Sequence, residues 1–123
     1  MAADPLTDAS PFRFSLRPDR SRMFIAPEGE LDISSAAAVS DEVEGLWARG
    51  FTEVVLDLRD VTFMDSIGLA AVLHARSRLR PGGRLALVVA PDSYAQLVLE
   101  IAGMPRALAI FADRDAAIAH VHS

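Results

Sequence analysis

Residues 65 to 68 read Asp-Ser-Ile-Gly and stand where an apolar β-branched run gives way to an amphipathic one. If that boundary is a strand running into a helix, Ser66 lies in the first helical turn and Asp65 is its N-cap. Free backbone N–H groups and the positive end of the helix dipole collect there, so the position can hold a phosphate. Gly68 carries no side chain near the Ser66 hydroxyl, which would let a partner's backbone or active site come close. Taken alone, the tetrapeptide points to helix capping before it points to chemistry.

Glu30 and Asp32 are the next candidates, in a loop that the chain topology places near Ser66, at the ends of neighbouring strands. Each also has a plain structural use, Asp32 as the cap of a helix beginning near Ser34 and Glu30 as a solvated loop charge. Ser34 and Ser35 read as helix-start residues.

Enzymatic use of Ser66 is not expected. A hydrolase nucleophile needs a base within reach, and His74 lies over two helical turns along the same helix. The G-x-S-x-G elbow, the G-x-x-x-x-G-K-[ST] loop and the G-x-G-x-x-G fingerprint are all missing from the sequence. His74, His120 and His122 have no metal-site spacing, and with no cysteine there is no disulfide or thiolate centre, so neither cofactor nor metal is expected and a cytosolic home fits.

The 123 residues suit one domain, and 51% hydrophobic content is enough for a core without staples. Net charge is −5, and all twelve cations are arginine, which makes nucleic acid an unexpected partner. Arg76 and Arg80 share a helical face, where they complement the negative end of the helix dipole. The N-terminus has no targeting pattern, and apolar blocks such as LALVVA are too short to cross a bilayer.

Residues 1–11 read as a loose lead-in and 12–123 as the domain. Phe12, Phe14 and Leu16 alternate with Arg13, Ser15 and Arg17, predicting a strand that PDRS turns into a second one, MFIA, ending or bulging at Pro27. Ala36, Val39, Val43, Leu46 and Trp47 recur at helical spacing over Ser34 to Arg49, before Gly50. VVLDL, RLALVVA and ALAIFA read as strands. Helices are predicted from about Ser66 to Leu79, over Ser93 to Ala102, and from a cap at Asp113 or Asp115 to the end. The order β-β-α-β-α-β-α-β-α predicts an α/β fold with a largely parallel sheet, one antiparallel edge strand and about four covering helices. No long exposed apolar stripe calling for a dimer is evident.

GELD at residues 29–32, the DLRDVTFMDSIGL block, and the GM turn with ALAIFADRDAA resemble, in this order, the landmarks of the STAS domain, in particular of bacterial anti-sigma factor antagonists. The resemblance covers roughly residues 12 to 121. It implies that Ser66, directly after the aspartate, is the residue phosphorylated by a partner that is both an ATP-dependent serine kinase and an anti-sigma factor. Ile67 replaces the second hydroxyl the family often places next. The unphosphorylated form is then expected to bind the kinase and free a sigma factor, and a serine phosphatase to reset it. Asp32, Asp65, Ser66, Gly68 and, more weakly, Glu30 are the implied partner contacts. The family also includes phosphorylation-independent binding modules of lipid-transport and stress-sensing complexes, which is the alternative use.

Overall fold

The structure, a computed structural model, describes residues 12–79, 81–103 and 108–122. The expected lead-in over 1–11, Arg80 and most of the GM-turn landmark lie outside the described residues. The elements run β1 (Arg13–Asp19), β2 (Arg22–Leu31), α1 (Ala36–Ala48), β3 (Glu53–Asp57), β4 (Val61–Met64), α2 (Ser66–Ser77), β5 (Arg84–Val88), α3 (Tyr94–Ile101), β6 (Ile110–Phe111) and α4 (Arg114–His122).

The strands lie in the order β1-β2-β3-β5-β6, with β4 beside β2. β1 is the antiparallel edge strand, and every other pairing is parallel. Alternation of side chains across the pleat explains the two-sided burial. Met23, Ile25, Val54, Leu56, Leu85 and Leu87 face one core with residues of α1, α2 and α3. Phe24, Val55, Ala86 and Val88 face a smaller core covered by Ala117 and Val121 of α4. Among the described residues, three helices therefore shield one face of the sheet and one helix the other, the α/β architecture the sequence predicts.

Two expectations about β2 and its neighbours are corrected. β2 runs through Pro27 to Leu31, because Pro27 falls in the gap between two partners. Its pairing with β3 ends at Ile25 and Leu56, and its pairing with β4 begins at Gly29 and Val61, so the missing N–H interrupts neither ladder. The irregularity comes two residues later, as a register shift between Gly29 and Glu30. β4 is a strand the sequence reading lacks, four residues long and too short to show a period of its own. Glu30 consequently lies in a strand, not a loop, opposite Phe63.

Smaller differences concern helix ends. α1 starts at Ala36, two residues after Ser34, and α2 ends at Ser77. Asp113 is the cap of the last helix, its Oδ1 accepting from the Ala116 N–H at 2.8 Å.

Candidate functional site

The corner at Ser66 is built by β2, β4 and α2 together. Leu31 pairs with Met64, and the next residue after β4, Asp65, donates its N–H to the Leu31 carbonyl at 3.4 Å. Asp65 is extended, with φ −104° and ψ −172°, and its Oδ1 accepts from the Gly68 N–H at 2.8 Å, the expected N-cap. Its carbonyl accepts the N–H of Leu69 at 3.0 Å, which closes the first turn. Ser66, the first residue of α2, is left exposed on the outside of this turn, and among the described residues no hydrogen bond takes its hydroxyl.

Gly68 has a different job from the one expected of it. It is buried, and a Cβ built on it would stand 2.1 Å from the Leu31 carbonyl oxygen. The absent side chain lets α2 seat against the backbone of β2 and does not open a path for a partner.

Asp32 follows β2 directly and organises the turn into α1. Its Oδ1 accepts from the Ser34 N–H at 2.9 Å and from the Ser34 hydroxyl at 2.7 Å. These bonds, with weaker ones from Ser35, hold its carboxyl below the usual carboxylate range. Asp32 is therefore an Asx-type turn former three residues ahead of the helix N-cap, not the cap itself. The N-cap, Ser35, is buried and uses its hydroxyl differently: it donates to the Glu30 carbonyl at 2.6 Å and accepts from the Asp32 N–H at 3.0 Å. Ser35 thus clamps the segment that carries Glu30 and Asp32, a role its helix-start position did not suggest.

Exposed apolar residues flank these acids. Ile67, beside Ser66, is 44% exposed, and Ile33, beside Asp32, is 75% exposed. Phe63, opposite Glu30 in the ladder, stacks on Tyr94 with ring centroids 5.5 Å apart. Tyr94 begins α3, whose outer face continues with Leu97 and Ile101, both more than half exposed. Spacings of three and four residues make a single stripe of these three. Contrary to the expectation from sequence, an exposed apolar surface does exist, and it borders the Ser66 corner. It was illegible because Tyr94, Leu97 and Ile101 share α3 with Ala95 and Leu99, which are buried.

A family model decides what this arrangement is. The STAS domain model matches residues 15–117. The chain belongs to the STAS domain family. Known structures agree with this STAS fold. An anti-sigma factor antagonist from Mycobacterium paratuberculosis superposes with a TM-score of 0.83 at 18% identity, covering 91% of this chain and 95% of that one. The anti-sigma factor antagonist SpoIIAA in its unphosphorylated form gives 0.72 at 24% identity over 89% and 96%, and the Bacillus cell fate determinant SpoIIAA in its phosphorylated form gives 0.66 at 24% identity over 89% and 99%. A sulfate transporter family protein from Wolinella succinogenes gives 0.61 at 19% identity over 86% and 88%. No curated protein sequence matches closely enough to count as a relative.

In this STAS domain the candidate residues come together at one end of the sheet, where Leu31 pairs with Met64: Glu30 on β2, Asp32 in the turn after it, and Asp65 with Ser66 at the start of α2. The histidines lie elsewhere. His74 Nδ1 meets the Ser40 hydroxyl at 2.6 Å between α1 and α2, and His122 lies near Glu53 and Arg22 at the other end of the sheet. Among the described residues no group of three or more histidines and carboxylates is placed to hold a metal ion, and no helix is long and apolar enough to cross a membrane.

Proposed function

We propose that this STAS domain is an anti-sigma factor antagonist that works by partner switching, with Ser66 as the phosphorylated residue. The observation that carries the reading is the exposed, uncommitted Ser66 hydroxyl at a capped helix start, bordered by an apolar surface that includes Ile67, Phe63 and Tyr94. The likeness to SpoIIAA, known in both phosphorylation states, supports it.

In this reading the unphosphorylated domain lays the apolar stripe and the acids Glu30, Asp32 and Asp65 on an anti-sigma factor that is also a serine kinase, which releases its sigma factor. Gly68 contributes by seating α2 and not by touching the partner. The domain performs no catalysis of its own. The Ser66 oxygen attacks the γ-phosphorus of ATP held by the kinase; the new O–P bond forms as the bond to the β-phosphate oxygen breaks, ADP leaves, and the hydroxyl proton passes to a base of the kinase. The product carries about −1.5 to −2 charges and three acceptor oxygens. Within the domain the phosphate is tolerated, since it lies at the positive end of α2. At the interface it adds charge among three carboxylates on a surface that must be desolvated, so the complex separates. A serine phosphatase resets the domain.

Intact-mass measurement after incubation with ATP and the anti-sigma kinase of the same organism should show one phosphoryl group on the wild type and none on Ser66→Ala. By calorimetry, Ser66→Ala should bind that kinase as the unphosphorylated protein does and Ser66→Asp at least about tenfold more weakly, because like charges in an interface cost several kcal/mol. Equal affinities for the two variants would sink the switch. Absence of phosphorylation together with retained binding to a transporter or stress-complex component would favour a phosphorylation-independent STAS module.

A further inference from the structure

β1 ends the sheet, and among the described residues no strand lies along its outer side. β4 and β6 also have a single strand partner each, but they are four and two residues long against seven for β1. The hairpin fixes which groups β1 presents. Its turn is Arg20 and Ser21, with Arg20 at φ 58°, and the flanking pair is Asp19 with Arg22. A two-residue turn closes on a hydrogen-bonded pair, and such pairs alternate with non-bonded ones along an antiparallel ladder. Arg13, Ser15 and Arg17 therefore spend their backbone groups on β2, while the N–H and C=O of Phe14 and Leu16 and the C=O of Pro18 point outward. Leu16 is 39% exposed beside them. An open edge of this kind is a template for another strand.

A second copy of β1 fits it. Two antiparallel copies overlap along the whole of Arg13–Asp19 when Leu16 faces Leu16, and this register also sets outward-pointing backbone groups opposite one another. Phe14 then faces Pro18 and Leu16 its counterpart on one face of the sheet. On the other face Arg17 meets Ser15, and Arg13 meets Asp19 twice, joining opposite charges. Slid by two residues in either direction, arginine opposes arginine, Arg13 against Arg17 or Arg17 against Arg17. Both charges of the favoured register are within reach of a partner. The Arg13 side chain is 83% exposed, with Glu28 at 3.3 Å, and a guanidinium has donors enough for a second carboxylate. Asp19 is 53% exposed and 3.5 Å from Arg22, whose closer partner is Glu53 at 2.9 Å.

We propose that two copies of this domain associate by antiparallel pairing of β1 with β1, centred on Leu16. Leu16 exchanges both backbone bonds with its counterpart, and the Phe14 N–H donates to the Pro18 carbonyl of the second copy. Pro18 returns no bond, and one strand pair buries little area, so the dimer is a weak one. β3 and β4 flank the opposite side of β2, so the dimer leaves Ser66 free and the proposal is independent of its phosphorylation.

Sedimentation equilibrium of the full chain, over micromolar to millimolar concentrations, tests it. The wild type should show a mass rising with concentration toward that of two chains. Arg13→Asp and Asp19→Arg each turn two cross-strand pairs from opposite to like charge, and each should raise the dimer Kd about tenfold. An equimolar mixture of the two variants, or the double variant, restores opposite charges at both pairs and should recover association, which a misfolded variant would not do. A wild type that stays monomeric throughout, a dimer indifferent to both single variants, or failure of the mixture and the double variant to recover would each overturn the assignment.

Discussion

At Gly68 a single missing methyl sets the distance between α2 and β2. Adding it in Gly68→Ala drives a Cβ into the Leu31 carbonyl, a backbone atom that cannot swing aside. The variant should lose about 1–3 kcal/mol, typical of overpacking, read as a lower urea midpoint with an unchanged slope. Asp65 can be separated into cap and charge. Asp65→Ala should cost about 0.5–2 kcal/mol through loss of the bond to the Gly68 N–H, while Asp65→Asn keeps a capping oxygen and most of the stability. If the carboxylate also contacts the anti-sigma kinase, Asp65→Asn will still bind it less tightly, a separation that denaturation and calorimetry on the same two variants resolve. The cap was visible in the sequence because capping is a contact over three residues. The reason for Gly68 was not, since Leu31 comes from a strand more than thirty positions earlier.

The elements show how an outer face gains meaning from its neighbours. α3 buries Ala95 and Leu99 and turns Tyr94, Leu97 and Ile101 outward beside Phe63. Leu97→Glu should change stability by no more than about 0.5 kcal/mol, as for other exposed positions. If α3 belongs to the proposed docking surface, the same change should weaken kinase binding well beyond that. A thermal melt together with calorimetry decides it, and unchanged affinity would remove α3 from the surface. Sequence periodicity places α3 correctly but does not distinguish an apolar residue facing the core from one facing a partner. β2 teaches the complementary point. Its last residues are a strand because β4 arrives to pair with them, and a four-residue partner leaves no periodic trace.

For the whole molecule, the ion network at Asp57 ties α4 to the end of β3. Asp57 is 4% exposed at the end of β3, and its carboxylate accepts from Arg59 at 2.8 Å and from Arg114 of α4 at 2.9 Å. Arg114 also lies over the Phe24 ring, so α4 is held by charge as well as by its small core. Burial pushes the Asp57 carboxyl up, but the bonds from Arg59 and Arg114 outweigh it, and the net position is below the ordinary value. A depressed carboxylate adds stability that is fully present above its unfolded value of about 3.9 and is lost as pH falls through the lower folded value. Asp57→Asn should therefore destabilise the domain at neutral pH by about 1–3 kcal/mol, less than for a fully buried pair because both arginines can turn to solvent. The gap between the variant and the wild type should narrow below about pH 4. Denaturant midpoints measured across pH 3 to 7 check both, and a gap that widens on acidification would contradict the sign.

What this chain determines by itself is local: the two-faced alternation of Met23 to Ile25, Val54 to Leu56 and Leu85 to Val88, the cap at Asp65, and a last cap at one of Asp113 and Asp115, between which the structure chose Asp113. Pleat period and capping act between near neighbours, so residue order alone specifies them and, with them, the α/β class and the exposed start of α2. Only the tertiary structure decided that Glu30 belongs to a strand, that Ser35 clamps the turn beneath the acids, that an apolar surface borders Ser66, and that two arginines meet Asp57. Each of these depends on segments far apart in the chain being brought within hydrogen-bonding or van der Waals reach, and no spacing along the sequence encodes that distance.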